Sequence, residues 1–449
     1  MGFAKSSLAF RVDVEPIGAS FYRVYCEPPA DEGLPKASEA GQQDNFIENE
    51  RYRVELDRDT GLVSAVFLRD GERTVKLRQT FAAYIFKDNY SRQDPGHYVF
   101  TTYRKAEETG QVSQYRIVKG PVVQEIHQVF NEYISQVITL HKGSPFIEFT
   151  WTVGPLTKLT DGDSKVHIKG CDVITQFQSD LRSEGFYTDS NGWKNMRRTA
   201  TITTENLAIP SSYYPVVSWI YIKDRSRNLQ MVIFPDRTQG GTSLQEGHLE
   251  LMVHRQHSTN DELGLPEALK ETGIDNEGIV ARGTHRLFLG SPQEAASLIR
   301  LQALQLVYKP VLLFAPAEWE PIKETFTALK SSLPITVHVL TLERVSSSHV
   351  LLRLEHLGLQ KGSVTVNVTQ ILAGHRLTDV RPVTLGANRY LPGPARHRWP
   401  TSQAGRKPRV IQDLRMTAPY TSSVHETGDT VVRLERGQIG TFLALLIAD

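Results

Sequence analysis

The sequence predicts an all-β protein of packed antiparallel sheets, on three observations. Apolar and polar residues alternate with a period of two along most of the chain, turn residues separate the alternating runs, and stretches with a helical period are few. Residues two apart share one face of a strand, so such alternation marks a strand with one buried and one wet side. Many short strands and little helix leave sheet-on-sheet packing as the way to cover those apolar faces.

The elements follow in order. An alternating run opens at 10–14. Residues 51–57 place Tyr52, Val54 and Leu56 on one face and charge on the other. Asp59, Thr60 and Gly61 then supply turn chemistry, and 62–68 reads as the returning strand. Further strands are expected at 114–118, 146–153, 229–234, 350–355, 364–368 and 431–435. Ser291, Pro292 and Glu294 have the N-cap, N1 and N3 positions of a capping box, so a helix is expected to start there. A second helical pattern runs over 322–329. Both read as short connecting helices beside a β domain.

Composition suggests the divisions. Residues 27–45 are rich in Pro, Gly, Ala and acidic residues and read as a linker. Residues 1–26 read as the closing strands of a β domain begun upstream, 46–333 as a central super-sandwich and 334–449 as a terminal β-sandwich.

Several function classes are excluded. The 51 Lys and Arg balance 50 Asp and Glu, without the basic excess that nucleic-acid binding requires. The one basic run, around Arg396 to Arg409, sits among prolines and glycines and reads as a solvated loop. No apolar stretch approaches the roughly 18 residues of a membrane helix, and residues 1–10 have no secretory signal pattern. The two cysteines, Cys26 and Cys171, cannot build a metal knuckle, and whether they pair is left open.

Motifs that carry chemistry are scarce. There is no P-loop, dinucleotide fingerprint, nucleophile elbow or His-Glu-x-x-His helix. His248, His254 and His257 come nearest to a ligand cluster. Strand parity puts His248 and His254 together and His257 opposite, so they read as surface histidines. Asp189, in the run Tyr187-Thr188-Asp189-Ser190-Asn191-Gly192, reads as part of a tight turn. Gly240-Gly241 reads as a β-turn rather than a phosphate cradle, since no helix pattern opens behind it.

Several blocks together resemble the C-terminal half of family 38 glycoside hydrolases, the class II α-mannosidases, and the lysosomal type in particular. They are Phe186 to Gly192, Arg197-Arg198, Ser212 to Val216, Asp236 to Leu244 and Glu250 to Arg255. Lys119 to Gln128, Trp151 to Pro155, Leu351 to His356 and Ile439 to Leu443 fit in order on either side. The resemblance covers nearly the whole chain and fades between about Gly374 and Glu426.

That resemblance implies a galactose-mutarotase-like super-sandwich flanked by smaller β-sandwiches. It implies a retaining α-mannosidase acting on terminal α-linked mannose in glycoprotein-derived oligosaccharides. The catalytic carboxylates and a zinc ion are expected in an N-terminal (β/α) half whose opening His-x-Asp-x-Gly-Trp motif is absent here. No catalytic residue and no metal ligand is then expected on this chain. Gly96-His97-Tyr98-Val99-Phe100 resembles a segment whose tyrosine reaches the sugar, which makes Tyr98 the candidate substrate contact. Leu263 stands where the family usually has arginine, whose forked donors an aliphatic side chain cannot replace.

The sequons at Asn89 and Asn367 suit the lysosomal or secretory setting that the resemblance implies. Expected partners are a mannose-containing oligosaccharide and the catalytic half, with neither nucleic acid nor membrane. The alternatives are a non-catalytic carbohydrate-binding protein and a structural partner of a catalytic subunit. In every case the isolated chain is expected to have no hydrolase activity.

Overall fold

The structure, a computed structural model, describes residues 8–24, 38–39, 45–69, 71, 73–87, 93–102, 104–109, 111–156, 168–200, 209–316, 318–321, 323–358, 362–391, 421–424 and 429–449. Two compact units divide the chain. One draws on Met1–Arg11 and Pro29–Val311, the other on Val12–Pro28 and Leu312–Asp449. The division therefore falls earlier than the one expected at 333.

The larger unit is a sandwich of two antiparallel sheets. Ten strands are arranged around a centre of Leu229–Pro235, Ala281–Gly290 and Ile147–Val153. Eight strands in line, from Tyr214–Val216 to Phe46–Glu48, form the other sheet, and Glu107–Glu108 pairs with Arg73–Lys87 as a ninth. Side chains of both sheets meet in one apolar layer, with Val54, Leu56, Val66 and Phe177 from one side and Ile138, Phe149, Met231 and Ile233 from the other.

Local chemistry explains the elements. Tyr52–Leu56 and Val63–Leu68 are strands. Between them Asp57 Oδ1 accepts from the Thr60 amide at 2.8 Å, and Gly61 adopts a φ of +67°. Leu229–Pro235 is buried along its whole length. Its odd positions enter the inter-sheet core, while Val232 and Phe234 pack under the helix Pro292–Val307 through Ala295, Ile299 and Leu306. Ser291 caps that helix by accepting from the Glu294 amide at 3.2 Å. The Glu294 carboxylate turns away from the cap and pairs with Arg51 at 2.5 Å.

The smaller unit pairs Val337–Arg344, His349–His356, Ile439–Ala448 and His375–Pro382 in one sheet, and Val364–Asn367, Thr430–Leu434 and Thr421–Val424 in another. Leu352, Leu354, Val366, Val432 and Phe442 form its core.

Three local expectations are corrected. The alternation at 10–14 is not a strand, and Phe10, Val12 and Val14 are exposed. The strand of that segment is Gly18–Ser20, paired with Thr325–Thr327 in the smaller unit. That pairing also removes the second helix, because β-branched Thr325 and Thr327 extend beside Gly18–Ser20 where 322–329 was read as helical. Finally, Gly240-Gly241 lies within the strand Gln239–Thr242, and a Cβ on Gly241 would come within 2.7 Å of Val216. Close packing against neighbouring strands, not a turn, accounts for those glycines. No helix among the described residues is long and apolar enough to cross a membrane.

Candidate functional site

Tyr98 stands between the strands Arg73–Lys87 and Glu107–Glu108, 67% exposed, while the backbone that carries it is held tightly. The Asp261 carboxylate is the anchor. Its Oδ2 accepts from the amides of Tyr98 at 2.6 Å and Val99 at 3.1 Å, and its Oδ1 accepts from the Leu263 amide at 3.1 Å. The Gly96 amide donates to the Val99 carbonyl at 3.1 Å and closes the loop. A Cβ on Gly96 would lie 2.6 Å from the Asp261 nitrogen, so the approach requires glycine. Gln93 Nε2 donates to the Asp261 carbonyl at 2.7 Å, and Thr259 Oγ1 donates to the Pro95 carbonyl at 3.1 Å. Burial opposes ionisation of Asp261, but the three amide donors and nearby His97 outweigh it and hold the carboxyl below its ordinary range.

A second brace comes from the sheet. Arg255 Nη2 donates to the Val99 carbonyl at 3.0 Å, and its Nε donates to buried Asp172 Oδ1 at 2.5 Å. His257 Nε2 meets the same oxygen at 2.9 Å. Burial works against the Asp172 charge, yet His257 and Arg255 together keep its carboxyl below the usual range. Phe100 then seats the loop by edge-on contacts with Tyr84 and Tyr213, with ring centroids 5.3 and 5.1 Å away. A phenol is thus held out on a rigid backbone, able to give or accept a hydrogen bond from a polar ligand.

The sequence readings fare differently here. Tyr98 and Leu263, noted separately, meet through one carboxylate, and the Leu263 side chain points to solvent at 57% exposure. The histidine parity is corrected. The strand register skips Val253, so His248, Glu250, Arg255 and His257 share the outer face while His254 turns to the Ile279 carbonyl at 3.0 Å. His257 is buried rather than on the surface. Asp189 holds the amides of Gly192, Val217, Ser218 and Trp219, a structural turn as read.

Cys171 is a buried thiol without a disulfide, pushed up to about 12 by burial and then by Asp172, and Cys26 lies outside the described residues. Asn367 is exposed, Nδ2 donating to Asp429 at 3.1 Å, while Asn89 lies outside the described residues. Sequence reasoning missed Asp172, Arg255 and Asp261. An available signal was Arg255-x-His257 at strand spacing, a guanidinium and an imidazole on one face that call for a buried acceptor.

Among the described residues, no group of three or more His, Cys, Asp or Glu is placed to hold a metal ion. In the buried pair of Asp172 and His257, the carboxylate oxygen is shared with the Arg255 guanidinium, which disfavours a cation there.

Replacing Asp261 by alanine is expected to speed amide hydrogen exchange at Tyr98, Val99 and Leu263 while leaving the strand amides protected. Unchanged exchange at those three amides would remove Asp261 as the anchor.

Residues 47–263 match the glycosyl hydrolases family 38 C-terminal domain. The chain is 34% identical over 464 aligned positions to the lysosomal alpha-mannosidase of Homo sapiens, covering 97% of this chain and 43% of that protein. It is 34% identical over 418 positions to the lysosomal alpha-mannosidase of Felis catus, covering 87% of this chain and 40% of that one. A solved structure of a protein in the glycosyl hydrolase family 38 from Enterococcus faecalis superposes with a TM-score of 0.53 at 15% identity, covering 93% of this chain and 45% of that chain. That last likeness concerns the fold alone. The chain thus spans about two-fifths of the length of the curated relatives it matches.

Proposed function

This chain belongs to glycosyl hydrolase family 38, whose C-terminal domain it carries, and from that premise we propose that it is the β half of a retaining α-mannosidase. Its substrate in this reading is terminal α-linked mannose of glycoprotein-derived oligosaccharides, and its setting is the lysosome or secretory pathway. In this reading the nucleophilic and acid–base carboxylates, and zinc, belong to a (β/α) half. A retaining enzyme passes through a glycosyl-enzyme intermediate that water then hydrolyses. The role of this chain is to position the sugar.

The observation that carries the reading is Tyr98, an exposed phenol on a backbone fixed by Asp261 and Arg255. Its hydroxyl is suited to bond a mannose hydroxyl, and the fixed loop spares the entropy of ordering it on binding. Leu263, whose amide shares the Asp261 carboxylate, offers no donor fork, so the family arginine's contribution is absent here.

The test is Tyr98→Phe in the chain assembled with a lysosomal-type catalytic half. One lost hydrogen bond is expected to lower kcat/KM for an α-mannoside by about three- to tenfold. An unchanged kcat/KM would sink the contact.

A further inference from the structure

The outer face of the eight-strand line carries a cavity of about 400 Å³, within the size range of small-ligand sites. Its polar lining is built by strand parity. Gln176 and Gln178 on one strand stand directly opposite Glu250 and His248 on the next, four side chains in a square. Glu250 is buried at the back, where Tyr84 and Tyr213 hydroxyls each donate to Oε1 at 2.6 Å and Gln176 Nε2 donates to Oε2 at 3.0 Å. Ile209 and Leu244 add an apolar wall.

The charges at this cavity balance. Glu108 is held by Arg78 in a two-pronged pair at 2.6 and 2.7 Å, and exposed Lys105 lines the same cavity as Glu250. The ring of His248 has no hydrogen-bond partner among the described residues, and burial favours its neutral form, with one donor and one acceptor nitrogen. Such a lining offers paired donors and acceptors beside an apolar patch, with no net charge to attract an ion. It suits a ring that has hydroxyls at its rim and C–H groups on its face.

We propose that this cavity binds a neutral polyhydroxylated ligand, one pyranose unit of a glycan, through Gln178, His248 and the Glu250–Tyr84 pair. The site is distinct from Tyr98 and operates without hydrolysis. The lining residues described above all lie on this chain. In a glycan it would hold a sugar other than the one that meets Tyr98.

The experiment is a ligand-observed and protein-observed NMR titration of the full chain with methyl α-D-mannopyranoside, myo-inositol and inorganic phosphate in parallel. Saturable binding of the mannoside is expected, with shifts at the side chains of His248 and Gln178. Phosphate is expected to leave those signals in place. Gln178→Ala and His248→Ala are each expected to weaken the mannoside at this cavity by about tenfold and to leave the backbone amide signals of Tyr98 and Val99 in place. That contrast separates this site from the one proposed above.

Should either alanine variant unfold, His248→Asn and the wild-type side-chain shifts carry the test. Three results would overturn the site. They are no saturable mannoside binding at the highest soluble concentration, shifts driven by phosphate instead, or binding that survives both variants undiminished.

Discussion

Asp172→Asn is expected to destabilise the larger unit by about 3–5 kcal/mol, the cost of removing one partner from a buried charge cluster. Asp172 is fully enclosed and its Oδ1 serves both Arg255 and His257. Without its charge, those two groups stay in the sheet with no anion to meet them, and an amide cannot accept from both as strongly. Urea unfolding should show the loss, and amide exchange at Val99 should quicken as Arg255 loosens from its carbonyl. A loss below about 1 kcal/mol, the range of exposed pairs, would mean the cluster is not what fixes these two strands.

The same carboxyl implies a pH dependence. Its folded pKa lies below the unfolded one, so its contribution is present above the unfolded value and lost as pH falls through the folded value.

The second large effect comes from His285. It is buried between Trp151 and Phe177, with Nε2 at 2.8 Å from Gln239 Oε1, and burial depresses its pKa to about 4. The unfolded chain takes up that proton near pH 6.5, so between those values the unfolded state binds more protons than the folded one. Stability should therefore fall as the solution is acidified through this window, by about 3 kcal/mol at its lower end, and level off below it. His285→Phe keeps the packing and removes the titration. Urea midpoints measured from pH 7 to pH 4 are expected to slope less steeply for the variant. Equal slopes would take His285 out of the account. For a protein whose relatives are lysosomal, this histidine sets an acid-side limit that other groups must offset.

Much of the fold was legible in the sequence because it rests on local periodicity. Tyr52–Leu56 shows its two-sided strand in its alternation, and Ser291 with Pro292 marks the helix start through backbone donors that any helix must satisfy. What could not be read depends on distant partners. Thr325–Thr327 is extended because Gly18–Ser20 lies beside it, some 300 residues away in sequence. The outer-face grouping of Arg255 and His257 with Glu250 depends on a register skip at Val253, and no spacing rule foresees a bulge.

The site divides the same way. Tyr98 is proposed from the motif that surrounds it, whereas Asp261 and Asp172 act through three-dimensional contacts with segments far along the chain. An Asp beside Asn260 reads as an ordinary turn residue until Gly96 is brought against it.

The central claim is that this chain is the β half of an α-mannosidase. It is tested most directly by assaying the purified chain on an α-mannoside chromogen with zinc, alone and mixed with the N-terminal half of a lysosomal-type α-mannosidase. Hydrolysis in the mixture and none from the chain alone is the predicted result. Silence in both samples, or activity from the chain by itself, would contradict it.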